Sequence, residues 1–226
     1  MSGVLADLTS PEVGSLAGSI LAVPLGSTEQ HGAHLPLSTD TEIAVALCDR
    51  LAAARPDVLV APAVPYGSSG EHAGFAGTLS IGQAAVELLV LELGRSATET
   101  FAHVLFVSAH GGNAAPVTRA VAQLRAESRD VALFTPAWDG DAHAGHEETA
   151  MLLALRPSLV HPDRAVPGDR RPLRELMPLL QSDGVRAVTA TGVLGDPTGA
   201  TASAGTALLD KLSTALAAMV TAWRAS

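Results

Sequence analysis

The sequence predicts an α/β fold in which a mostly parallel sheet is covered by helices. Short β-branched runs alternate with longer stretches of helical periodicity, the pattern of strand–helix–strand units. The short runs are apolar at nearly every position, as strands buried on both faces must be. Histidines and carboxylates gather just beyond the ends of these runs, where ligands bind in such sheets.

Residues 20–24 read as the first strand, and residues 41–54 as a helix with Cys48 inside its apolar face. A second strand is expected at 58–62 and a helix at 82–101, then a strand at 104–108 and a helix at 114–127. The last strand falls at 131–135, followed by a helix at 147–155. A closing helix at 206–223 places Leu208, Leu212, Leu216, Met219 and Trp223 on one stripe. Residues 157–204 are rich in Pro, Gly, Asp and Arg with weak periodicity. They read as a long excursion lining a pocket or a subunit contact, inside a single domain spanning 1–226.

A chain of 226 residues, 47% of them hydrophobic, can bury a full core. The net charge of −9 makes nucleic acid a poor partner, since phosphate binding needs clustered Lys and Arg. No apolar run is long enough to span a bilayer, and residues 1–16 lack a secretion signature, so a cytoplasmic location is expected. Cys48 is the single cysteine, which excludes an intrachain disulfide and a thiolate zinc site. There is no G-x-S-x-G elbow, P-loop or strand-linked G-x-G-x-x-G, and Lys211 is the only lysine.

Three clusters remain. In the first, Glu29 and His31 lie two apart in extended backbone, so their side chains point the same way. Asp40 follows at a helix start, where Thr39 and Glu42 also read as a capping box. The second is His110-Gly111-Gly112-Asn113, directly after a strand; the glycines expose backbone N–H groups and Asn113 suits a helix cap. In the third, His143 and Glu148 flank the start of a helix, where Asp141 and Glu147 are also explained by the helix dipole. Jointly, Glu29, His31, Asp40, His110 and Glu148 offer two imidazoles and three carboxylates from three strand ends. This N/O donor set suits Zn²⁺, Mn²⁺ or Fe²⁺, with an Asp able to bridge two ions, and points to hydrolysis of an amide.

At these residues the sequence resembles the creatininase family of metal-dependent amidohydrolases. The resemblance rests on Gly26-Ser27-Thr28-Glu29-Gln30-His31-Gly32, on residues 35–41 and 110–113, and on residues 143–149. It implies an α/β/α sandwich, two divalent ions (Zn, Fe or Mn) in each subunit, and a homo-oligomer, often a hexamer. Glu29, Asp40 and His110 would hold one ion; His31, bridging Asp40 and Glu148 would hold the other. The creatinine hydrolases have a carboxylate two positions after the histidine matching His110. Gly112 stands there in this chain, so Glu148 is the remaining candidate and creatinine is disfavoured as substrate. Residues 66–81 and 192–201 are similar to the mycofactocin-system branch of the family. That branch trims a radical-modified ribosomal precursor peptide ahead of its C-terminal Val-Tyr-derived unit. His143 would then protonate the leaving amine. Rival readings are hydrolysis of a small cyclic amide or formamide, and a non-catalytic protein that binds the precursor peptide.

Glu71 and His72 sit in a Gly-rich loop and read either as a pocket wall or as a solvated turn. With Gly111, Gly112, Asn113 and Trp138 they make up the expected substrate-binding set, although Trp138 suits the core equally well. His34 and His146 lie beside the metal candidates, as second-shell partners or surface residues.

Overall fold

The computed structural model describes residues 3–225. In chain order the elements are α1 (Ser10–Gly14), β1 (Ile20–Leu25), α2 (Thr39–Ala54), β2 (Val58–Val60), α3 (Gly82–Ala97) and β3 (His103–Ser108). Then come α4 (Ala114–Ala126), β4 (Val131–Phe134), α5 (His146–Leu155), α6 (Leu173–Asp183), α7 (Val185–Val188) and α8 (Ala202–Ala225). The strands form one parallel sheet of order β2-β1-β3-β4.

Alternation along the strands divides the core into two. Ile20 and Ala22 of β1, Val58 and Val60 of β2, and Leu105 and Val107 of β3 face one side. There they meet Ile43, Leu47 and Leu51 of α2, Met151 and Leu152 of α5, and Leu209, Leu212 and Leu216 of α8. Leu21, Val23, Val104, Phe106 and Val131 face the other side and pack on Val86 and Val90 of α3 and on Val117, Val121 and Leu124 of α4. The result is a helix–sheet–helix sandwich, as expected. Cys48 is buried in the first of these layers.

Several boundaries differ from the sequence expectation for local reasons. β2 stops at Val60, ahead of Pro62, which has no N–H for a ladder. α3 ends at Ala97 and not at 101, because the Thr98 hydroxyl and Arg129 satisfy the carbonyls of Gly94 and Arg95 and the chain turns. α8 begins at Ala202, a turn before the expected start, where the Thr201 hydroxyl accepts the Ala204 N–H. The capping box at Thr39 does not form: Thr39 donates to the Pro36 carbonyl, and Glu42 pairs with Arg156. Within 157–204 the chain forms α6, which the internal Pro178 and the Pro- and Gly-rich surroundings had hidden, and the four-residue α7. Among the described residues no helix is long and apolar enough to cross a membrane.

Candidate metal centre

The register Leu25↔Ser108 sets the carboxyl ends of β1 and β3 side by side. The loops leaving those ends therefore start as neighbours, and they carry Glu29, His31 and His110. The first turn of α2 adds Asp40, and α5 brings Glu148 from the same end of the sheet. All five side chains are buried.

Asp40 lies at the centre. Its Oδ1 is 3.4 Å from His31 Nε2 and its Oδ2 is 3.2 Å from His110 Nδ1, so one carboxylate faces both imidazoles. The Ser27 hydroxyl donates to Oδ2 at 2.7 Å and fixes its orientation. Glu29 Oε2 is 3.3 Å from His110 Nε2, and Glu148 Oε2 is 3.8 Å from His31 Nε2. Glu29, Asp40 and His110 form one compact donor group; His31, Asp40 and Glu148 form a second; Glu29, His31 and His143 form a third. His31 Nδ1 faces the Glu29 carbonyl at 3.1 Å, and donation there leaves Nε2 with a free lone pair. Backbone geometry serves the same end at Ala144, which adopts φ 52 and donates its N–H to Glu148 Oε2 at 2.6 Å.

Both carboxylate oxygens of Glu29 and the Nε2 of His31 are buried without a hydrogen-bond partner. Buried polar atoms left this way cost several kcal/mol in total, roughly 1–3 each and more when charged. The donor set and these orphaned atoms fit a divalent cation. The electrostatics agree. Burial alone would depress His31, but Asp40, Glu148 and Glu29 raise it to about 9. Burial opposes ionisation of Asp40 as well, yet His31 and His110 hold its carboxyl well below the usual range. Glu148 is lifted by burial to about 7. Without a cation the imidazoles are thus driven to take up protons, and a cation would replace those protons.

His143 is buried beside this group. Its Nε2 is 2.8 Å from the Gln30 carbonyl and donates to it, so Nδ1 faces Glu29 Oε1 at 3.7 Å. Burial depresses its pKa well below the ordinary value, with the charges of His31 and His72 adding to the effect. His72 is buried too, with Nε2 3.4 Å from Glu29 Oε1 and Nδ1 accepting from the Gln30 amide at 2.9 Å. Gln30 escaped the sequence reading. It sits between Glu29 and His31 and turns the other way, joining His72, the Gly192 carbonyl and Gly32 N–H.

A cavity of about 920 Å³ opens over the group. Glu29, Glu71, His72, His110, Gly111, Gly112 and His143 line its floor, and Leu173, Met177 and Leu180 of α6 form an apolar wall. Two expected substrate contacts lie elsewhere. Asn113 is buried and its amide ties two loops together, donating to Gly26 O and accepting from Ser68 N–H, so it neither caps α4 nor faces the cavity. Trp138 is half-buried against the core on the α8 side, donates to the Asp141 carbonyl and does not line the cavity. His34 backs the site through Thr149, whereas the His146 ring takes no part; only its N–H is used, by Asp141.

Residues 6–220 match the creatininase family, described as creatinine amidohydrolase. The chain is 48% identical over 224 residues to the mycofactocin precursor peptide peptidase of Mycolicibacterium smegmatis, covering 96% of this chain and 90% of that protein. It is 50% identical over 212 residues to the protein of the same name from Mycobacterium ulcerans, covering 90% and 84%. The solved structure named Creatininase Mn superposes with a TM-score of 0.84 at 24% identity, over 97% of this chain and 98% of that one. That likeness bears on the fold.

Proposed function

The chain belongs to the creatininase family, and from that premise we propose that it is a metal-dependent peptidase of the radical-modified mycofactocin precursor peptide. It would release the C-terminal Val-Tyr-derived unit. The observation that carries the hydrolase reading is Asp40, buried with one oxygen toward each of His31 and His110 at the floor of an open cavity.

Glu29, Asp40 and His110 would hold one divalent ion, and His31, Asp40 and Glu148 a second, with Zn, Fe or Mn as candidates. Such a pair, when bound, supplies water activated near neutral pH and a polarising charge for a carbonyl oxygen. The chain's own residues do the rest. Ser27 and the Glu29 carbonyl orient Asp40 and His31. The Gln30 carbonyl anchors His143 through Nε2, which leaves the Nδ1 lone pair to take a proton from the attacking water and pass it to the departing amine. The depressed basicity of His143 favours release of that proton. Gly111 and Gly112 keep the floor open to a peptide backbone, and the α6 wall offers apolar surface to an aromatic end. A cavity of about 920 Å³ is ample for a peptide segment and larger than a small cyclic amide needs. A cytoplasmic homo-oligomer, hexameric or similar, is part of the same proposal; exposed Tyr66, Leu79 and Leu88 offer apolar surface for it.

The test is mass spectrometry of the modified precursor peptide incubated with chelator-stripped protein, then with Zn²⁺, Mn²⁺ or Fe²⁺ restored. Metal-dependent release of the Val-Tyr-derived fragment is the expected result. Full metal uptake without cleavage would remove the substrate assignment, and absence of metal uptake would remove the site itself.

A further inference from the structure

A fourth carboxylate stands at the centre without belonging to its donor groups. Glu71, from the loop between β2 and α3, places Oε1 3.8 Å from His110 Nε2, with 32% of its side chain exposed. The rest of its surroundings explain why it is there. A Cβ built on Gly112 would fall 2.5 Å from that same oxygen, 2.5 Å from His110 Nε2 and 2.1 Å from the Ser68 carbonyl. The Glu71 carboxylate therefore lies beside the space that a side chain at position 112 would enter, and Gly112 is the residue that leaves it room.

The loop is held in place from behind. Gly184, at φ +77, lies against the Glu71 carbonyl so closely that a Cβ there would come within 2.8 Å of it. Arg186 donates to the Gly74 carbonyl at 2.6 Å, and the Ser69 N–H is accepted by the Ser80 hydroxyl at 2.9 Å. Among the described residues no Lys or Arg lines the cavity, and the imidazole of His110 is the basic side chain that Glu71 faces there.

Charge counting says what a carboxylate could do there. Two divalent ions bring four positive charges, while Glu29, Asp40 and Glu148 bring three negative ones and ligating imidazoles are neutral. We propose that Glu71 supplies the missing negative charge, holding the ion on the Glu29–Asp40–His110 side from the place left open by Gly112. The inference rests on the two-ion reading above. Glu71 acts as a positioning residue, through its field and through His110, so its charge matters more than its exact reach.

Isothermal titration of zinc alone into the chelator-stripped chain tests this, with circular dichroism as the check on folding. Wild type is expected to take two equivalents. In Glu71→Gln, which keeps size and loses charge, one equivalent should stay at wild-type affinity and the other should weaken by about 10–100-fold, the range for partners behind metal ligands. Glu71→Ala should show the same loss, and reads the result should the Gln variant fold poorly. Glu71→Asp, which restores the charge, should recover most of the affinity. Two equivalents at wild-type affinity in folded Glu71→Gln or Glu71→Ala overturn the proposal and leave the two-ion reading standing. Wild type that takes fewer than two overturns both.

Discussion

Replacing Glu148 by Gln should separate what the centre costs the fold from what it does for metal. Glu148 is buried, accepts the Ala144 N–H at 2.6 Å and stands 3.8 Å from His31 Nε2. Burial lifts its carboxyl from the ordinary 4.5 to about 7, although the His31 charge pulls the other way. With metal stripped, the folded state therefore holds this proton more tightly than the unfolded chain. The stability this contributes is complete below about 4.5 and is lost as pH rises through about 7. Each pKa unit is worth about 1.4 kcal/mol, which sets an upper bound of about 3–4 kcal/mol on the loss. Gln keeps a carbonyl oxygen for the Ala144 N–H and cannot ionise. Stripped Glu148→Gln should thus be more stable than stripped wild type at pH 8, by up to about 3–4 kcal/mol, with the gap closing toward pH 4.5. Saturating zinc should reverse the order, because the variant loses a ligand. Urea unfolding at several pH values, in chelator and in zinc, measures both halves. A stripped variant less stable than wild type at pH 8 would show that Glu148 is a structural ion-pair partner of His31, and would refute the reasoning.

His143→Ala should retain metal and lose turnover by roughly 10²–10⁴-fold, the usual contribution of a positioned acid–base group; equal loss of zinc in titration would instead make His143 a ligand. Asp40→Asn should reduce uptake of both ions together, since Asp40 faces both imidazoles; elemental analysis showing loss of only one ion would deny it a bridging role. Gly205→Ala should destabilise the fold by about 1–3 kcal/mol through overpacking, despite the better helix propensity of Ala, because its Cβ would fall 1.9 Å from the Ala150 carbonyl. A thermal melt at or above the wild-type midpoint would show that α5 and α8 can separate at little cost.

The parallel sheet was legible because each strand is apolar on both faces, and β1 with six buried residues in a row shows why. Glu29, His31 and His110 were legible for the opposite reason: buried polar residues beside a strand end have no role in a core. Asp40 was harder, since Thr39 and Glu42 offered a capping box, and only the fold showed Thr39 and Glu42 bonded elsewhere. Asn113 was read as a cap and substrate contact, and Trp138 was left open between substrate and core, because polarity and aromaticity do not say which side of a loop a residue faces. Both side chains are engaged by neighbouring backbone groups distant in sequence or local to the loop. α6 was hidden although Leu173, Leu176, Met177 and Leu180 share one helical stripe, because the internal Pro178 and the Pro, Gly and Arg residues before it read as loop.

That last difference divides the centre into two kinds of information. Metal-facing residues betray themselves in the sequence because burial of Glu29 or His31 is unfavourable without a cation. The residues of the cavity wall are apolar, and nothing in a run of Leu and Met distinguishes such a wall from a core. The fold resolves this by exposure: Leu173 and Met177 remain 46% and 37% exposed on a helix whose Leu176 is fully buried. The charged floor is therefore set at the strand ends, where parallel topology brings distant loops together, and the apolar wall above it comes from α6 within 157–204.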